Sequence, residues 1–209
     1  NMNDFFPTST PIKASEDPYT FNKIDDFIMP DTYEFEGEEK QIIESIDYFN
    51  TDGLMILKDG EVHYENYWNE NKETSRHIIW SVSKSFLSAL VGIALDEGLI
   101  DDINDPIIKY LKDFKDTGYE GVSIKNLLQM SSGIEFNEDY GDPDSDINRY
   151  GRVTATGTSQ REFAKTLKNS REPGTYNHYI SLDSQMLGML VAEVSNMSVK
   201  EYLYEKIWS

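Results

Sequence analysis

Apolar residues recur at helical spacing along most of this chain, and one short stretch alternates instead. Ile42, Ile43, Ile46 and Phe49 fall three or four positions apart and predict an amphipathic helix over residues 38–49. The runs 53–58 and 61–68 flank Asp59-Gly60, a pair suited to the positive φ angles of a two-residue turn, and predict a β-hairpin. Residues 81–97 are apolar over much of a helical circumference (Phe86, Leu87, Leu90, Val91, Ile93, Leu95) and stop at Gly98, predicting a central buried helix. Shorter helices are expected at 106–112, 123–130, 159–170, 182–195 and 198–208, with Ser123 and Ser198 as N-caps. Residues 135–158 read as a long acidic loop. Residues 1–36 are rich in Pro, Asp, Ser and Thr and read as an extended arm, laid on the body by Phe5, Phe6, Tyr19, Phe21 and Phe27. The expected organisation is therefore an arm over 1–36 and one domain over 37–209.

Composition narrows the function classes. With 209 residues, 38% hydrophobic and 12% aromatic, the chain reads as a soluble globular protein with enough length for a buried core. Its 38 acidic residues outnumber 19 basic ones, for a formal net charge of −19, which disfavours nucleic acid and anionic membrane as partners. With no cysteine there is no disulfide, thiolate nucleophile or cysteine-held metal, and both cytoplasmic and exported bacterial locations stay open. The longest apolar run, 86–95, is too short to span a bilayer.

The chemistry starts at Ser81-Val82-Ser83-Lys84. Residues at i and i+3 share a helix face, so the Ser81 hydroxyl and the Lys84 amine can meet at the start of the predicted helix. The apolar helix that follows should partly desolvate Lys84, which favours a neutral base. Ser81 would also place its backbone N–H at the positive end of the helix dipole, where an oxyanion is stabilised. Ser83 points about 100° away around the helix, and Ser85 has no lysine three residues on. Tyr179, almost a hundred residues later in Tyr179-Ile180-Ser181, can complete a proton relay. His178 beside it reads more readily as structural than as part of the site. The Asp142, Asp144, Asp146 alternation resembles the opening of a calcium loop, but Ile147 and Val153 replace the residues such a loop requires. No metal or cofactor is called for.

Taken together, residues 50–209 resemble the serine β-lactamase and penicillin-binding-protein superfamily. Four blocks carry the resemblance, in family order: Ser81-Val82-Ser83-Lys84-Ser85; Gly98-Leu99-Ile100-Asp101-Asp102 with Asp105-Pro106 and Tyr110-Leu111; Leu127-Leu128-Gln129-Met130-Ser131-Ser132-Gly133; and Pro173-Gly174-Thr175 leading to Tyr179-Ile180-Ser181 and Leu187-Gly188. The run Phe136-Asn137-Glu138-Asp139-Tyr140 with Asp142-Pro143 is similar to the esterase and 6-aminohexanoate-dimer (nylon oligomer) hydrolase branch. The resemblance implies an α+β, β-lactamase/transpeptidase-like fold, with a helical subdomain beside an antiparallel sheet that is largely incomplete in this chain. It implies that Ser81 is the acyl-accepting nucleophile, Lys84 its base and Tyr179 the proton relay. Ser181, Tyr140 and His178 are then the expected substrate-side residues.

Ser181 replaces the asparagine that β-lactamases and peptidases use to hold an amide, which disfavours both activities. Met130 stands where many relatives have histidine. The family's third motif, Lys-Thr-Gly or His-x-Gly on a later strand, is not found, so the chain is expected to be an N-terminal portion of the fold, paired with a complementary C-terminal fragment. The leading expectation is a serine hydrolase of short carboxylic esters or small amides. The alternatives are a β-lactamase or DD-peptidase, and a catalytically silent binding or scaffold protein of the same fold.

Overall fold

The computed structural model describes residues 12–209, so the expected contacts of Phe5 and Phe6 lie outside the described residues. The chain divides into two compact units, residues 17–79 and residues 80–209, the second including the described residues 12–16.

In the first unit, β1 (Asn22–Lys23), β4 (Gly53–Lys58) and β5 (Glu61–Tyr67) form a sheet in the order β1-β5-β4. The β4–β5 hairpin turns at Asp59 and Gly60, with φ +54° and +81°, as the Asp-Gly pair predicts. β1 comes from the expected arm and runs parallel to β5. Lys23 reaches Glu65 at 2.6 Å, and the Phe27 ring sits edge-on to Tyr64 at 6.0 Å. Tyr19 and Phe21 instead meet edge to face and stay exposed. β2 (Thr32–Phe35) pairs antiparallel with β3 (Glu38–Gln41) across Glu36 and Gly37, both at positive φ. The helix expected from residue 38 therefore begins four residues later, as α1 (Ile42–Tyr48). Glu38, Glu39, Lys40 and Gln41 are good helix formers, but ladder pairing with β2 overrides local preference.

In the second unit, α6 (Ser181–Ser195) is the central element. Seven of its residues are buried, among them Leu182, Met186, Leu187, Leu190 and Val191. α2 (Ser83–Asp96), expected to hold that place, buries only Leu90, Val91 and Ala94 along one stripe. α3 (Ile124–Leu128) also packs on α6, and α7 (Val199–Leu203) follows it. The two expected serine caps form full capping boxes, Ser123 with Asn126 and Ser198 with Glu201. Residues 106–112 form no α-helix but two 3₁₀ turns, Ile107–Lys109 and Lys112–Phe114, that bury Ile107 and Phe114.

The expected acidic loop contains α4 (Asp146–Ala155), capped by the Ser145 hydroxyl and seated on Ile147. It packs against α5 (Gln160–Thr166). Polar residues dominate α4 and hide its apolar positions, Ile147, Tyr150 and Val153, which are spaced three apart.

Residues 170–178, which lead into α6, are pinned along residues 129–134. Gly174 N–H donates to Ser131 O at 2.8 Å, and His178 N–H to Met130 O at 2.7 Å. Gly133 makes the approach possible. At φ +76°, a Cβ there would lie 2.2 Å from Arg171 O. This clamp fixes where Tyr179 emerges.

Candidate active site

Ser81 occupies a 3₁₀ turn, Trp80–Val82, rather than the first α-helical turn, and the turn leads straight into α2. Trp80 holds φ +42°, a left-handed conformation that is uncommon for so bulky a residue and is characteristic of functional turns. The Ser83 hydroxyl ties the turn by donating to Trp80 O at 2.7 Å. Ser83 thus supports the turn, and Ser81 faces the opposite partner. Lys84, half-buried on the first turn of α2, places Nζ 3.0 Å from Ser81 Oγ.

Tyr179 closes the group from a position 98 residues away, its hydroxyl donating to Ser81 Oγ at 2.8 Å. Lys84 Nζ also lies 5.1 Å from the centroid of the Tyr179 ring. Burial pushes the Tyr179 hydroxyl upward, yet hydrogen bonding with Lys84 and Ser81 and the Lys84 charge together carry its pKa below the ordinary phenol value. One oxygen therefore meets an amine and an acidified phenol, the arrangement needed to remove a proton from Ser81 and deliver one to a departing group.

The expected substrate-side residues divide. Ser181 and Tyr140 converge on Glu138, which the motif reading quoted without assigning a role. Glu138 accepts the Ser181 backbone N–H at 2.7 Å, a very short hydrogen bond from the Ser181 hydroxyl, and the Tyr140 hydroxyl at 3.1 Å. A carboxylate on the first N–H groups of α6 is favoured by the helix dipole. Burial, then the neighbouring Glu138, hold the Tyr140 hydroxyl above its usual value against hydrogen bonding from Ser181. The Tyr140 ring remains largely exposed. His178 turns instead toward Tyr176, 6.4 Å between ring centres, and no hydrogen bond joins its ring to Ser81, Lys84 or Tyr179. It lines an open cleft of about 490 Å³ with Arg171, Tyr176, Asn137 and Glu135.

The alternating aspartates order the loop themselves. Asp142 accepts the Asp144 N–H at 2.9 Å, and Asp146 accepts the Asn137 N–H at 2.9 Å and pairs with Arg149 at 3.0 Å. Among the described residues, no three His, Cys, Asp or Glu side chains are grouped to hold a metal ion. No helix among them is long and apolar enough to cross a membrane.

Comparison with known proteins identifies the family and the fold. A family model described as Beta-lactamase matches residues 40–209. A 6-aminohexanoate-dimer hydrolase of Paenarthrobacter ureafaciens is 31% identical over 166 residues, covering 76% of this chain and 42% of that protein. The solved structure of a candidate 6-aminohexanoate-dimer hydrolase from Bacillus anthracis superposes with a TM-score of 0.73 at 22% identity, over 94% of this chain and 53% of that one. An octameric penicillin-binding protein homologue from Pyrococcus abyssi superposes with a TM-score of 0.59 at 23% identity, over 79% and 40% of the two chains. The chain spans about half the length of the relatives it matches, and the shared fold is the α+β, β-lactamase-like one.

Proposed function

Since the chain belongs to the Beta-lactamase family, we propose that it is a serine hydrolase working through an acyl-enzyme on short carboxylic esters or small amides. Ser81 is the nucleophile, Lys84 its base and Tyr179 the relay. The observation that supports this most is the meeting of Lys84 Nζ and the Tyr179 hydroxyl on Ser81 Oγ, at 3.0 and 2.8 Å.

In this reading Ser81 Oγ bonds to the substrate carbonyl carbon as its proton passes to Lys84. The tetrahedral intermediate collapses by breaking the bond to the leaving nitrogen or oxygen, which takes its proton from Tyr179. Tyr179 is restored by Lys84, so the proton lost by Ser81 ends on the leaving group. Water then attacks the acyl-enzyme by the reverse relay, returning the proton to Ser81 and releasing the acid. The Ser81 backbone N–H, at the head of α2, is suited to the developing oxyanion.

The 6-aminohexanoate-dimer hydrolase relative supports linear amides as the substrate class. Ser181 supports the same choice over a β-lactam, since its hydroxyl is committed to Glu138 rather than offering an asparagine amide. The test is turnover of p-nitrophenyl butyrate and of a linear aminohexanoate amide by the chain and by Ser81→Ala. Nitrocefin hydrolysis faster than either would restore the β-lactamase reading.

A further inference from the structure

Behind Tyr179, in the first turn of α6, stands a carboxyl that the proposed reaction does not use. Asp183 is fully buried, and neither of its oxygens completes a hydrogen bond. The Tyr119 hydroxyl, also fully buried, shares that condition and lies close enough for Asp183 to raise its pKa further after burial itself. These are the only buried side-chain polar atoms among the described residues left without a partner. The hydrophobic core to which Tyr119 belongs also takes in Leu182, Met186 and Leu187 of α6 and Leu127 of α3.

The place is not incidental to the site. Asp183 sits two residues beyond Ser181 and four beyond Tyr179. The polar groups that favour its charged form are the hydroxyl and backbone N–H of Ser132. Ser132 belongs to the turn that clamps the Tyr179 segment, with its carbonyl accepting Asn169 Nδ2 at 2.9 Å. Asp183 thus faces, from the first turn of the helix that Tyr179 leads into, the strap that fixes the Tyr179 segment.

We propose that Asp183 is a positioning residue kept as a neutral carboxylic acid, and that its ionisation loosens the first turn of α6 beneath Tyr179 and Ser181. A charged carboxylate with no complete hydrogen bond is strongly disfavoured in an apolar interior, whereas the neutral acid can donate its proton locally. Burial, and to a smaller extent the neighbouring Glu138, push Asp183 up to about 7 against the pull of Ser132. The titratable groups facing this pocket are Glu138 from the site loop and Tyr119 from the turn before α3. Tyr150 of α4 acts on Tyr119, and no cation is among the groups that shift Asp183.

The sign follows from the raised pKa. The folded state holds a proton that the unfolded chain releases near pH 4, so this contribution is complete below about pH 4 and is lost as pH rises through about 7.

The test compares the unmodified chain with Asp183→Asn, a neutral isostere that keeps a donor. Isotope-edited infrared or ¹³C spectroscopy of aspartate-labelled chain should show a protonated carboxyl at about pH 6 that titrates near neutrality and is missing from Asp183→Asn. Between about pH 5 and about pH 9, Tm of the wild type should fall relative to the variant. The wild type-to-variant ratio of fluorophosphonate acylation rates should fall at least about tenfold between about pH 6 and about pH 8.5, as a single group titrating near 7 requires. An Asp183 ionised at pH 6, or parallel pH profiles for the two proteins, would overturn the proposal. If Asp183→Asn does not fold, the spectroscopic titration of the unmodified chain decides alone. The acylation arm rests on the serine hydrolase reading. If Ser81 is never acylated, that reading fails while the spectroscopic and Tm arms still report on Asp183.

Discussion

Two helix starts face each other across Ser81, and they are built in opposite ways. The turn that leads into α2 carries Ser81, the proposed nucleophile, on an exposed, strained backbone. Trp80 is 73% and Val82 58% accessible, no residue of Trp80–Val82 is buried, and Trp80 sits at positive φ. The start of α6 carries Ser181, with Tyr179 just before its cap, on a rooted backbone, with Ile180, Leu182 and Asp183 at 1% exposure or less. The candidate site therefore joins Ser81 on a shallow turn to Tyr179, which is itself half-exposed but is followed at once by buried residues. Substitutions at the first start should act through chemistry, and substitutions at the second also through stability.

The largest expected effect is at the exposed start. Ser81→Ala should abolish ester turnover while leaving Tm nearly unchanged, because Ser81 lies on the exposed turn. Steady-state assays beside calorimetry check both halves. Next, Tyr179→Phe should lower kcat by about 10²–10⁴, the usual worth of a general acid–base. Its Tm should hold, since Tyr179 is 45% exposed and its hydroxyl donates to the likewise exposed Ser81. At the rooted start, Leu182→Ala should cost about 2–5 kcal/mol of folding stability, read as a fall in Tm or denaturation midpoint.

Glu138→Gln keeps the shape but removes the charge that holds Ser181 and Tyr140 together. Charged hydrogen bonds are worth about 1.5–3 kcal/mol, so kcat/KM should drop about tenfold or more. The smallest effect closes the contrast: Val82→Ala should shift stability by no more than about 0.5 kcal/mol in a denaturant titration. A Val82→Ala loss as large as that of Leu182→Ala would erase the difference between the two starts.

What was legible in the sequence had local causes. Asp59-Gly60 specifies its turn within two residues, and Ser123 and Ser198 announce helices because a capping box closes within four. The pairing of Ser81 with Lys84 was readable for the same reason, being one helical turn long. What escaped depends on distant partners. Glu38–Gln41 is a strand only because Thr32–Phe35 lies beside it. Glu138 matters only because Ser181, 43 positions on, folds back to its carboxylate, and no spacing rule reports that. The α2 helix reads as the most apolar segment, yet burial is decided by how many elements converge, and they converge on α6. Tyr179 was found through its motif context, while its reach to Ser81 is a product of the Gly133 clamp.

The most direct test of the central claim is peptide mapping of this chain after reaction with a fluorophosphonate, with Lys84→Ala as the paired control. An assembled Lys84–Ser81–Tyr179 group predicts one adduct, on Ser81, formed much more slowly in Lys84→Ala. An unlabelled Ser81, or labelling at the same rate without Lys84, would contradict it and leave the fold as a silent scaffold.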